Sequence, residues 1–258
     1  MNYNLIIRRY HGLTKIPVKE EEKMKPYKLS GNEIKILLFD YVVKKRVQND
    51  TMPESPVVLR SILTSDMVGE IANEYGIGII TVTPKIMLAL HRSKSEVIKD
   101  CIFSFSKDTP CLKEGEEADR NMLEEMEREY KSKNITLESV LENMYEKYGY
   151  YKEGFVKFDC KDEEEIANHM TMIKEYMPHT VGGYEVLGKT NYTGRKEEDA
   201  EKEHDILEYS LNNNVRMIIT SGDQKTIEIY IFARGYSEDF VTYSINNLKK
   251  YLRLELDF

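Results

Sequence analysis

The chain has 258 residues, of which 37 are Lys or Arg and 45 are Asp or Glu, for a formal net charge of −8. That length accommodates two ordinary domains with real cores, and the acidic balance excludes a protein that wraps nucleic acid, whose phosphates demand clustered Lys and Arg. No apolar run reaches the roughly 18–20 residues of a membrane span and no charged-then-apolar signal pattern opens the chain, so the sequence predicts a soluble, cytoplasmic protein without a membrane partner.

Residues 1–29 hold two short apolar runs, Leu5 to Arg9 and Tyr27 to Leu29, around a polar stretch from Lys19 to Lys25 of mixed sign. They read as a remnant hairpin, too little for a domain. Ser30 followed by Glu33 forms a capping-box signature, and Ile34, Leu37, Leu38, Tyr41 and Val42 then recur at helical spacing, predicting a helix with one core-facing stripe.

The nearly unbroken apolar runs Val57–Leu63, Ile77–Val82 and Cys101–Phe105 suit strands covered on both faces. Between the first two, Val68, Ile71, Ala72 and Tyr75 mark a helix capped by Thr64 or Ser65 and stopped at Gly76. Two more helices follow, the second carrying Leu137, Val140, Leu141, Met144 and Tyr148 and ending at Gly149. This β-α-β-α order makes residues 30–153 a three-layer α/β/α domain.

From 154 to 258 the order changes. A helix with Ile166, Met170, Ile173 and Met177 precedes strands at Tyr184–Leu187, Ile206–Tyr209, Val215–Ile219 and Ile227–Phe232, and a last helix starts near Ser237. Breaks fall at Gly182-Gly183, Asn212–Asn214 and Ser221-Gly222, which predicts an α+β domain. Cys101, Cys111 and Cys160 show no metal spacing, and His11, His91, His169, His179 and His204 are scattered, so no metal cluster or catalytic constellation is expected from them. Tyr145, Tyr148, Tyr150 and Tyr151 are expected to pack between the domains.

Four segments read together resemble the α-D-phosphohexomutases, the phosphoglucomutase and phosphomannomutase superfamily. They are GNEIKILLFDYVVKKR from Gly31, RSILTSDMVGEIANEYGI from Arg60, TLESVLENMYEKYGYY from Thr136 and GGYEVLGKTNYTG from Gly182, in the family's order and at nearly its spacing. The resemblance covers almost everything after residue 30 and matches the C-terminal half of the family, its domains III and IV. It implies an α/β/α domain followed by a TATA-binding-protein-like α+β domain. Residues 1–29 would then be the end of domain II.

Family members move a phosphoryl group through a phosphoserine in the first domain and a magnesium ion on an Asp-rich loop in the second, chemistry that rests on positioning and charge stabilisation. A match to that metal loop would end at Met1 to Asn4, which include no Asp or Arg, so neither a magnesium site nor another cofactor is expected. The family's sugar loop, G-F-E-E-S-Y-G, matches Ser104 to Pro110, where Ser106 and Lys107, followed by Asp108, replace both glutamates. An ammonium only donates and cannot imitate an acceptor carboxylate. The T-G-F-K loop matches Thr83-Pro84-Lys85-Ile86, without its glycine.

The phosphate loop, R-P-S-G-T-E-P-K, matches Ile219 to Thr226 and retains only Ser221 and Gly222; Ile219 replaces the arginine fork, Asp223 adds negative charge, and Lys225 is the one nearby cation. The resulting expectation is a non-catalytic relative that binds a protein partner or its own copy over the surface that missing domains would leave. Two alternatives are one half of a split mutase completed by another chain and a module binding hexose phosphate weakly without chemistry.

Overall fold

The computed structural model describes residues 29–83, 99–105, 115–196, 199–222 and 225–255. Helix α1 (Gly31–Gln48) starts on the capping box read from the sequence: Ser30 Oγ accepts from the Glu33 N–H at 3.2 Å, and Glu33 Oε2 accepts from the Ser30 N–H at 2.6 Å. The single stripe expected for it is too narrow. Every residue from Ile36 to Val43 is buried, including Asp40, because α1 is surrounded by other elements rather than resting on one. Burial raises the Asp40 carboxyl, and Lys44, one turn on at 2.7 Å, opposes that rise.

Strands β1 (Val57–Ser61), β2 (Gly78–Val82) and β3 (Cys101–Ser104) form a parallel sheet of order β2-β1-β3. Helix α2 (Met67–Glu74) has Asp66 at its N-cap, but the side chain that meets its first N–H is Ser65, whose Oγ accepts from the Met67 N–H at 3.5 Å; Thr64 Oγ1 accepts from the Ser61 N–H at 3.1 Å instead. With α3 (Gly115–Ser132) and α4 (Leu137–Tyr148), these helices share one core with Val58, Ile102, Phe103 and Phe105. Phe39 lies 5.6 Å from both Phe103 and Phe105, ring centre to ring centre.

The opposite face of the sheet gathers Leu59, Val82 and Cys101 into a separate small cluster. Among the described residues the helices contribute to one core only, so two layers of the expected three are seen.

Beyond Gly149, where the backbone turns at a left-handed φ of 92°, the chain enters strand β4 (Tyr150–Asp159). Helix α5 (Glu163–Glu175) follows, capped by Asp162 Oδ1 on the Glu165 N–H at 2.9 Å and carrying Glu163, Glu164 and Glu165 where the helix dipole favours anions. It stops short of Met177.

Strands β5 (Thr180–Val181) and β6 (Tyr184–Asn191) come next, and a separate hairpin then pairs β7 (Gly194–Lys196) with β8 (Asp199–His204). Strands β9 (Ile206–Leu211), β10 (Val215–Gly222) and β11 (Thr226–Gly235) complete an antiparallel sheet of order β4-β11-β10-β9-β6-β5. Helix α6 (Glu238–Glu255) lies on β4 and β11, burying Val241, Ile245, Leu248 and Leu252 with Ile229, Ile231 and Val156. It sits so close that a Cβ on Gly154 would lie 2.7 Å from Ile245 Cγ2. The parallel and antiparallel sheets with their helices bear out a mixed α/β architecture.

Candidate functional site

The residues matched to the phosphate loop lie at the tip of the β10–β11 hairpin. The ladder runs past the expected break at Ser221-Gly222 to Gly222 opposite Thr226. Lys225, just before β11, holds a left-handed φ of 53°.

Each retained residue already has a local task. Ser221 Oγ accepts from the Asp205 N–H at 3.3 Å, and the Ser221 N–H donates to the Asp205 carbonyl at 3.2 Å. A Cβ on Gly222 would lie 2.2 Å from Thr226 Oγ1 and 3.2 Å from Glu228 Oε1, so the glycine permits a close crossing of two strands and a carboxylate lies against it. Lys225 Nζ donates to the Lys161 carbonyl at 3.4 Å. Ile219 pairs with Leu207 and Ile229 and is buried in the core, so its side chain is directed away from any ligand at the tip.

Charge at the tip opposes an anion. Asp159 is the ladder partner of Thr226, Glu228 overlies Gly222, and Asp205 bonds Ser221 and pairs with Lys174. A phosphate dianion placed there would meet carboxylates instead of a ring of donors. The Thr226 hydroxyl is buried without a hydrogen-bond partner among the described residues.

Of the other expected positions only Thr83 is described. Thr83 follows β2 in the parallel sheet. Lys85, Ser106, Lys107, Asp108 and Asp223 lie outside the described residues, as do Met1 to Asn4, where the metal loop would end. Among the described residues no three His, Cys, Asp or Glu side chains group as a metal site would require.

A second polar site was not legible in the sequence. It lies where β10 meets the turn after β1, with Arg216 Nε donating to Asp66 Oδ2, Nη1 to the Ile62 carbonyl and Nη2 to the Thr64 carbonyl, each at 2.8 Å. Arg60 Nη1 donates to the other oxygen of Asp66 at 3.1 Å. Glu208 nearby is raised by burial, which the Arg216 and Arg60 charges oppose.

Beside this junction is a cleft of about 220 Å³ whose polar lining is Ser30, Glu33, Ser65, Tyr145, Lys152 and Glu153, over Ile36, Met67 and Leu141. The Tyr145 hydroxyl donates to Glu33 Oε1 at 2.8 Å, and the Tyr145 ring stacks on Tyr150 at 5.2 Å; of the four tyrosines expected between the domains, Tyr150 touches both cores, whereas Tyr145, Tyr148 and Tyr151 pack with the first. Glu153 lines this cleft with part of its surface exposed. Burial pushes its carboxyl up to about 7; the Asn32 hydrogen bond and Arg216 oppose this, and Glu33 and Asp66 add to it. With Lys152 as its one cation beside the Glu33 and Glu153 carboxyls, the cleft lacks the cluster of positive groups a phosphate ester requires.

No family profile matches the sequence, and no curated protein does. Among solved structures, the chain is similar to the exocytosis-sensitive phosphoprotein parafusin, a phosphoglucomutase from Paramecium, in its open form, with a TM-score of 0.53 and 13% identity over 90% of this chain and 41% of that one. A protein assigned as a phosphomannomutase from Thermus thermophilus matches with a TM-score of 0.49 and 10% identity over 88% of this chain. The chain thus spans 41% of the length of each of these two solved relatives. At such identities the likeness concerns the fold, and at that level it bears out the resemblance read from the sequence: this chain is built like part of a phosphoglucomutase.

Proposed function

We propose that the chain is a phosphohexomutase-like pair of domains, corresponding to domains III and IV of that family with the second of TATA-binding-protein-like type, and that it binds a protein partner or its own copy instead of transferring phosphoryl groups. The observation that carries this reading is the hairpin tip, where Ile219 is committed to the core, Ser221 to Asp205, and the Glu228 carboxylate lies against Gly222. A phosphate clamp needs convergent N–H groups and a guanidinium.

The carboxylate-lined cleft supports the same conclusion. Hexose phosphate binding at the tip is expected to be weak, resting on Lys225 alone. The test is a coupled assay for conversion of glucose 1-phosphate to glucose 6-phosphate, run on the purified chain and on a mixture with a polypeptide supplying the phosphoserine and metal loops of a phosphoglucomutase. No turnover is expected in either; turnover that depends on this chain would overturn the reading.

A further inference from the structure

In parallel α/β sheets, ligands enter the crevice past the carboxyl ends of the strands. In this chain that end of β1 continues into the turn from Ile62 to Asp66, and the outer face of the antiparallel sheet lies directly on it. Ile62 packs in one apolar cluster with Ile218 of β10 and Phe232 of β11. Through this cluster reaches Arg216, its side chain only 14% exposed and its guanidinium 4.1 Å from the centre of the Phe232 ring.

All three nitrogens of that guanidinium are engaged: Asp66 takes one hydrogen bond, and the Ile62 and Thr64 carbonyls take the other two. Asp66 is clasped between a guanidinium from each domain, since Arg60 holds its second oxygen while Arg60 Nε donates to Thr81 Oγ1 at 3.2 Å. At the rim, Arg234 and Glu70 pair at 2.7 Å, with both side chains more than a third exposed, and a pair so open to water contributes little.

We infer that Arg216, Arg60 and Asp66 form a latch that holds the second domain shut over the strand-end crevice of the first. Past β1 the space is taken by Ile218, Phe232 and Arg216, and opening it there requires breaking three bonds to one guanidinium. Domains joined by an ordinary polar interface move relative to each other. A largely buried, fully bonded arginine resists this, because separation exchanges three hydrogen bonds to one guanidinium and its stacking on Phe232 for contacts with water. This inference rests on the junction alone and stands whatever the hairpin tip binds.

The test compares the full chain with Arg216→Ala and Arg216→Lys by amide hydrogen exchange and small-angle scattering. In Arg216→Ala, exchange over residues 62–67 is expected to quicken by about tenfold or more while amides in α1 and β11 keep their protection, and the radius of gyration should rise. Arg216→Lys keeps the charge but loses the fork and should fall between the two. Should Arg216→Ala fail to fold, Asp66→Asn, which weakens the shared acceptor, is expected to give the same local signature. Exchange that quickens evenly across both domains, or a junction unchanged in exchange and size, would overturn the latch and leave Arg216 as a contributor to global stability only.

Discussion

The Thr226 hydroxyl, 1% exposed and without a hydrogen-bond partner among the described residues, sits beneath the hairpin tip whose binding capacity is at issue. Leaving such a group unpaired costs about 1–3 kcal/mol. Thr226→Val keeps the branched shape and removes the oxygen, so it is expected to raise stability by roughly 1 kcal/mol in urea denaturation. A loss of stability would mean that the hydroxyl has a partner after all, with a bound anion among the species to look for. At this scale the sequence was partly legible. The mismatch of Ile219 with an arginine could be read from the residues, but its orientation could not, because that depends on which residues of β9 and β11 stand opposite it. Arg216 gave no signal at all; its partners lie about 150 residues earlier in the chain, and an isolated arginine in a strand looks like any solvent-facing residue.

Elements with local signals were the most legible. Ser30 and Glu33 mark the start of α1, Thr136 and Gly149 bracket α4, and in each case the capping chemistry that defines the end is written in neighbouring residues. Strand ends were harder. β10 continues through Ser221 and Gly222, which look like turn residues, because the turn is set by the left-handed Lys225. The β7–β8 hairpin has few apolar residues and no alternation to announce it. Strand β4 carries Glu153 into the cleft, where its carboxyl is raised by burial to about 7. A carboxyl raised in the folded chain binds its proton more tightly there than in the unfolded chain. It therefore adds stability below the ordinary glutamate range that is lost as pH climbs toward 7. Denaturation at a series of pH values should show the wild type losing stability relative to Glu153→Gln between about pH 5 and 7; parallel profiles would show that solvent along the cleft cancels the effect.

Taken whole, the molecule has one large core in each half, joined where β4 leaves the first and where Arg216 returns to it. The order of elements was legible from periodicity, and the likeness to phosphohexomutases followed from segments in the right order. How the halves dock was not, since no local pattern encodes contacts made across so long a stretch of chain. Folds of this kind host phosphoryl transfer only where the loops supply donors and charge, so function is decided at the tip and the crevice. Among the described residues of the tip the donors are spent internally and carboxylates stand nearby; past β1 the second domain packs on the turn from Ile62 to Asp66. The most direct measurement is calorimetric titration of the full chain with glucose 1-phosphate up to about 10 mM, well above the millimolar range of weak binding. The account predicts binding no tighter than about 1 mM. A saturable isotherm with a dissociation constant below about 1 mM, weakened by Lys225→Ala, would contradict it.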